Sequence, residues 1–319
     1  MSRSAFRVWI LVHEDKNWCD EGLMMEEQQF GPVWFIPGEN RGKYPHCHSV
    51  YIDSPGVLID PASNRDLLIQ IRESRGVKMI WLSHWHEDHL MHLDLFDDLP
   101  FWISDRDALP LSDVDVFLDW YGMDNEEYRE YWRHVLKEQF HFKPRRPERF
   151  LHGGQIIDLG VQTVKVISTP GHTPGHLGFL FQESRVLFIG DYDLTRFGPW
   201  YGDVYSSIEE TIESITHLRK IPAEVLIASH ENGIFSEEPG KLWDDYLNII
   251  NERDRRLLEL LRKPRIMKEI VEAWVVYGEP REPKAFFEFG ERAIMKKHLE
   301  RLMRLDRVFK EKDRSIKTG

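Results

Sequence analysis

The sequence predicts a layered α/β protein. Three observations predict it. Short apolar runs of strand length alternate with stretches of helical spacing as far as about residue 240, glycine and proline turns separate the runs, and helical patterns alone follow. Phe6 to Val12 reads as a first strand, and residues 13–45 as loop with short-strand character. Ser49 to Asp53 and Gly56 to Asp60 read as a hairpin turned at Ser54-Pro55-Gly56. Arg65 to Ser74 has helical spacing, with Leu67, Leu68 and Ile71 on one face. Val77 to Leu82 is apolar and suits a buried strand, which delivers the chain to His84. Phe101 to Ser104 is another strand. Val114 to Phe140 is helical in pattern and carries Trp120, Tyr121, Tyr128, Tyr131 and Trp132. Gln155 to Leu159, Val161 to Ser168, Leu177 to Phe181 and Val186 to Ile189 are strands between glycine turns. Ile208 to Leu218 is a helix, and Val225 to Ala228 a strand that runs into His230. Leu242 to Leu261 reads as a connecting helix, Arg265 to Val276 and Glu291 to Leu305 as further helices, and Arg307 to Lys312 as a short strand or wing.

With 319 residues the chain has room for about two domains, and 41 % hydrophobic residues with 18 Phe and 11 Trp suffice for a sizeable core. A net charge of −12 argues against a nucleic-acid surface spread over the whole molecule. The charge is uneven: Arg253 to Gly319 carries 19 Lys+Arg against 12 Asp+Glu, or +7, leaving −19 on the rest. Such asymmetry marks a part with a different role. Two cysteines, Cys19 and Cys47, make no disulfide framework and read as free thiols of a reducing compartment. The run from Val8 to Val12 is too short for a signal-peptide core, and no segment approaches bilayer length, so a cytoplasmic protein with no membrane partner is expected.

The chemistry is concentrated in Ser83-His84-Trp85-His86-Glu87-Asp88-His89, directly after a buried strand. In an extended turn residues i and i+2 point the same way, so His84 and His86 can share one metal. Asp88 and His89 lie further round the turn and can reach a second. Imidazole with carboxylate suits zinc, and also iron or manganese. One loop does not complete such a site. Further ligand types follow other strands: His172 in Thr169-Pro170-Gly171-His172-Thr173-Pro174-Gly175-His176, Asp191 after Val186 to Ile189, and His230 after Val225 to Ala228. Four such placements in one chain point to a common site. His46-Cys47-His48 leads into a strand and reads as structural rather than as a nucleophile or extra metal site.

These residues resemble the motif set of the metallo-β-lactamase superfamily: Asp60 ending an early strand, the HxHxDH loop at His84, His86, Asp88 and His89, His172 in a TPGHT turn, Asp191 after a strand, and the late His230. The resemblance covers roughly residues 5–240. It implies a four-layer αβ/βα sandwich with the site at one edge and two divalent ions, zinc foremost, with iron or manganese as alternatives. It assigns one ion to His84, His86 and His172, a second to Asp88, His89 and His230, and a bridge to Asp191. Asp60 and His176 would orient these ligands from behind. It implies hydrolysis by a metal-bridged hydroxide, with Asp88 positioning or shuttling the proton. The domains expected are a catalytic 1–240, with a helical insertion at about 113–140, and a helical 241–319 resembling a winged-helix-type appendage.

The TPGHTPGH turn and Asp191 resemble the glyoxalase II branch, which implies a small thioester, ester or lactone as substrate. The aromatic stretch of about 113–140 departs from a compact member of that branch and reads as a lid or homodimer element near the site. Arg145, Arg146, Arg196, Trp200 and Tyr201 are candidate substrate contacts on loops. Two alternatives stand beside the small-molecule hydrolase. An endoribonuclease-like phosphodiesterase would use the basic C-terminal region to hold RNA, and a persulfide dioxygenase would use one iron in the same cage. A flavodiiron-type pattern would place Glu where His86 stands.

Overall fold

A computed structural model describes residues 25–237, 239–311 and 315–318. The strand expected at Phe6–Val12, and Cys19, lie outside them. The chain divides into two compact units, with Met25–Ile250 forming the larger and Asn251–Gly319 belonging to the smaller.

In the larger unit β1 (Gln28–Phe30), β2 (Val33–Ile36), β3 (Ser49–Ile52), β4 (Val57–Ile59), β5 (Met79–Trp81), β6 (Phe101–Ser104) and β7 (Arg149–Leu151) form one sheet in chain order. Pairing is antiparallel as far as β4 and parallel from β4 to β7. The β3–β4 hairpin turns at Ser54-Pro55-Gly56 as the sequence predicts, with Ile52 opposite Val57. A second sheet has the order β13-β12-β11-β10-β9-β8. Its strands are β8 (Ile156–Asp158), β9 (Thr163–Ser168), β10 (Leu177–Phe181), β11 (Val186–Gly190), β12 (Val225–Ala228) and β13 (Ile234–Phe235).

The two sheets face each other. Val50, Ile52, Val57, Ile59 and Trp81 of the first pack with Val164, Val166, Phe179, Phe188 and Ile227 of the second in one buried core. Alternation along each strand sends the next residues to the outer faces. Leu187, Ile189 and Ala228 therefore meet Ile215 and Leu218 of α5 (Ile208–Leu218), and Trp243 and Tyr246 of α6 (Lys241–Leu260). On the other side Tyr51 points out of the sandwich and donates its hydroxyl to Arg75 O and Gly76 O, just past α1 (Arg65–Ser74). Helix, sheet, sheet, helix is the four-layer order the resemblance implies.

The helical stretch expected over Val114–Phe140 is two helices, α3 (Val114–Tyr121) and α4 (Glu126–Glu138), and not one. Gly122 ends α3 at φ +76, a left-handed cap suited to glycine, and the Asn125 side chain then accepts from Tyr128 N to start α4. A four-residue helix, α2 (Glu87–Leu90), closes the histidine loop.

In the smaller unit the end of α6 is followed by α7 (Met267–Val271), α8 (Lys284–Arg304) and the antiparallel hairpin β14 (Val308–Lys310) with β15 (Ile316–Thr318). Helix α7 is shorter, and α8 starts earlier, than the spacing predicts. Trp274, at φ +50, turns the chain out of helix soon after α7. Glu291 of α8 is buried and accepts from the backbone N–H of Val276 and Tyr277, fixing that turn to the helix. Arg265 pairs with Ile316, adding a backbone rung beside the hairpin.

Candidate metal centre

Each polar side chain at this site sits where a strand ends. β4 runs into Asp60, β5 into Ser83–His89, β9 into the turn bearing His172, β11 into Asp191 and β12 into His230. Apolar strand residues bury the backbone up to that edge, so the residues that follow are delivered to one place. All seven expected ligand residues are buried and meet there in two groups: His84, His86, His172 and Asp191, and Asp88, His89, Asp191 and His230. In each group one ligand atom per residue lies within 4.8 Å of all the others.

In the first group His84 Nε2, His86 Nδ1 and His172 Nε2 stand 2.9–3.1 Å apart. Their other ring nitrogens face fixed partners. His84 Nδ1 is 2.9 Å from Ser83 Oγ, whose hydroxyl donates to Asp60; His172 Nδ1 donates to Trp200 O, and His86 Nε2 to Asp203 Oδ2. With those protons placed outward, His84 and His172 turn lone pairs inward. Burial opposes charge on His86, but Asp203 outweighs it and lifts that ring to about 9, so an arriving cation would displace the proton on its inward Nδ1. A tetrahedral ion with bonds of about 2.0–2.1 Å separates its ligand nitrogens by about 3.3 Å, so a small cation fits this triangle after shifts of a few tenths of an ångström. Burial pushes His84 down, and His172 down to about 4, so both are neutral ligand-type imidazoles near pH 7.

In the second group His89 Nε2 lies 2.9 Å from Asp191 Oδ1, and His230 Nε2 lies 3.4 Å from Asp191 Oδ2 and 3.5 Å from Asp88 Oδ2. His89 Nε2 and Asp191 Oδ1 are both buried, yet no hydrogen bond reaches either. Their separation is short but the angle is wrong for a hydrogen bond, as expected of two ligands turned toward a third body. Their far sides are tied: His89 Nδ1 to Asp60 Oδ2 at 2.9 Å, and His230 Nδ1 to Gly42 O at 2.7 Å and His46 O at 3.1 Å. Burial acts against charge on these rings, but Asp191 outweighs it, holding His89 well above its usual range and lifting His230 to about 10. An arriving cation would displace those protons. Asp191 touches both groups: its Oδ2 is also 3.3 Å from His172 Nε2 and 3.8 Å from His84 Nε2. Burial opposes its charge, but His89 and His230 hold it well below the usual carboxylate range.

Asp60 and His176 stand behind these groups. Asp60 is fully buried and accepts from Ser83 N at 2.8 Å, Ser83 Oγ at 2.6 Å and His89. His176 accepts the Asp191 backbone N–H at 3.2 Å on Nε2 and faces Thr169 Oγ1 through Nδ1 at 2.8 Å. Gly190 permits this approach: at φ +58, a Cβ there would stand 2.4 Å from His176 Nε2.

Other supports have no ligand role in the motif set. Buried Asp107 accepts from Thr173 Oγ1 and Gly175 N, clamping the turn that carries His172. Glu87 points away from the ligands, accepting from Tyr44 at 2.8 Å and from Tyr121 of α3. Trp85 also points that way, into Phe117, Trp120 and Tyr121. The insertion thus packs directly behind the histidine loop, and Tyr121 stacks on the His86 ring at 5.4 Å and 12°.

Among the candidate substrate contacts, Arg145 is ion-paired with Asp97, Tyr201 is fully buried, and Arg146 and Arg196 are exposed. Trp200 supports the site instead, through its carbonyl to His172 and its indole to Asp203. Cys47 is buried against His89, and burial pushes its thiol up to about 12, far from nucleophile range. His92, Asp94 and His141 also gather, but Arg65 already grips both Asp94 oxygens, at 2.9 and 2.7 Å. No described helix is long and apolar enough to cross a membrane.

Comparison with known proteins agrees with this geometry. Residues 43–230 match the family described as the metallo-beta-lactamase superfamily. A hydroxyacylglutathione hydrolase of Haemophilus influenzae is 27 % identical over 195 residues, 58 % of this chain and 84 % of that protein. An acyl-coenzyme A thioesterase of Gallus gallus is 27 % identical over 230 residues, 68 % of this chain and 78 % of that one. The solved structure of a metallo-beta-lactamase family protein from Thermus thermophilus superimposes with a TM-score of 0.66 at 20 % identity, covering 90 % of this chain and 99 % of the other.

Proposed function

The chain belongs to the metallo-β-lactamase superfamily and is a metallo-hydrolase, and from that premise we propose that it hydrolyses a thioester at two divalent ions, zinc foremost. The carrying observation is the pair of complete ligand groups that share Asp191. Two full groups favour two ions over the single iron of a dioxygenase. The two relatives named as a hydroxyacylglutathione hydrolase and an acyl-coenzyme A thioesterase favour a thioester over an ester or lactone.

His84, His86 and His172 would hold one ion, Asp88, His89 and His230 the other, and Asp191 both. Bound there, the ions would acidify water to supply the nucleophile near neutral pH and polarise the substrate carbonyl. The chain's own part is orientation and proton handling. Asp60, His176 and Asp107 fix the loops, and the outward partners of His84, His86 and His172 keep one nitrogen of each ring turned toward the ion position. Asp88, buried with its carboxylate 3.5 Å from His230 Nε2, is placed to hold or pass a proton at that edge. We read the smaller unit as a winged-helix-type appendage from its helix, helix, hairpin order.

Metal analysis of the purified protein, followed by assays on thioesters, lactones and RNA, tests this. Two equivalents of zinc, and thioester cleavage lost in Asp191→Ala, are expected. One bound iron with sulfur-dependent oxygen uptake would reject hydrolysis. Salt-sensitive RNA cleavage that needs the basic C-terminal region would replace the small molecule with a nucleic acid.

A further inference from the structure

We propose that Asp203 is a positioning residue for the first metal position, acting through His86, and that the segment Gly198–Ser206 is the strap that holds that position's imidazoles in their ligating form. The inference rests on the ligand assignment above but concerns residues outside every motif in that assignment.

Asp203 lies on the connection from β11 to α5 and is 1 % exposed. Its Oδ2 accepts from His86 Nε2 at 2.7 Å, and its Oδ1 from the Trp200 indole at 3.0 Å. A carboxylate buried this deeply is unfavourable unless charge-assisted hydrogen bonds satisfy it. Here it holds the Nε2–H of His86 outward and so turns Nδ1 toward His84 and His172 as the nitrogen that would bind a metal. Two further groups of the strap act on His172: the Trp200 carbonyl accepts its Nδ1–H at 3.1 Å, and Ser206 Oγ donates to its backbone O at 2.7 Å. Ser206 N donates to Asp203 O, closing the turn. Gly198, at φ +82, admits the strap against Ile249, since a Cβ there would stand 2.5 Å from Ile249 Cγ2. One short segment thus orients two of the three imidazoles. A carboxylate behind a metal-bound histidine raises its basicity and fixes its ring, and removing one costs about 10–100-fold in metal affinity.

The test uses full-length wild type, Asp203→Asn and Asp203→Ala, stripped with a chelator and titrated with zinc against a fluorescent competitor. The melting temperature of each metal-free protein is measured alongside. Asn keeps the shape, so it reports the charge even where Ala destabilises. For Asn the expected result is one of two zinc affinities falling about 10–100-fold, with the other unchanged and the metal-free melting temperature close to wild type. Asp203→Glu should recover part of the loss. Unchanged affinities in Asn would overturn the proposal, as would equal loss at both positions, which marks general damage. Wild type that takes up no zinc, manganese or iron would instead sink the ligand assignment itself, a result separable from either.

Discussion

Replacing Asp60 by Ala tests whether the site's rear support also holds the fold together or is a turn residue that happens to precede Pro61. Asp60, Ser83 and His89 are all fully buried. The substitution strips the acceptor from three donors: Ser83 N, Ser83 Oγ and His89 Nδ1. Each buried donor left unpaired costs about 1–3 kcal/mol, and the three overlap, so about 3–6 kcal/mol is expected. Ala in the left-handed conformation of this position, φ +50, adds about 1 kcal/mol. The total, roughly 4–7 kcal/mol, is a large share of ordinary domain stability. For a unit of this size it corresponds to a melting temperature lower by roughly 10–25 °C. The assay is urea and thermal unfolding of chelator-treated protein, because bound ions would add their own stabilisation. Asp60→Asn keeps the acceptor for Ser83 N and should lose about 1–3 kcal/mol. A loss below about 1 kcal/mol in Asp60→Ala would refute the reasoning and return Asp60 to a turn role.

Asp191→Ala removes the carboxylate common to both groups; thioester turnover should fall by about 10³-fold or more, with near-UV circular dichroism still that of a folded chain. Gly190→Ala drives a Cβ to 2.4 Å from His176 Nε2 at a left-handed φ and should lower stability by about 2–4 kcal/mol, read by urea unfolding. His48 gives a pH prediction. Burial holds it at about 3, and it accepts from Gly38 N while facing Glu231 O. The unfolded ring protonates near 6.5 and the folded ring resists, so metal-free stability should fall as pH drops from 6.5 toward 3. The share of His48 in that loss should be about 2 kcal/mol at pH 5, read as the difference between the wild-type and His48→Gln changes in urea midpoint over this range. Tyr121→Phe leaves one oxygen of buried Glu87 without its donor and should cost about 1–3 kcal/mol by the same measurement.

The candidate ligands are legible because each is written immediately after an apolar strand, and a sandwich that buries its strands must release those positions along one edge. The left-handed cap at Gly122 is also visible in principle; the aromatic spacing on either side of it reads as one helix because both halves bury a similar stripe. Strands β1 and β7 are too short and polar to show alternation, and β2, though apolar, is only four residues long among glycine and proline turns. Asp203 and Asp107 escape notice for a different reason. A lone carboxylate on a loop has no spacing partner, and its role exists only once another stretch of chain folds against it. Arg145 misleads for the same reason, since its partner Asp97 lies far off in sequence.

The two motif residues that turn away from the ligands, Trp85 and Glu87, are gripped by the insertion. A graft that exchanged α3 for the corresponding segment of a relative would therefore have to rewrite positions 85 and 87 as well. What looks like a removable accessory is one half of a lock whose other half sits inside the histidine loop, and the two halves have to be inherited, or engineered, together.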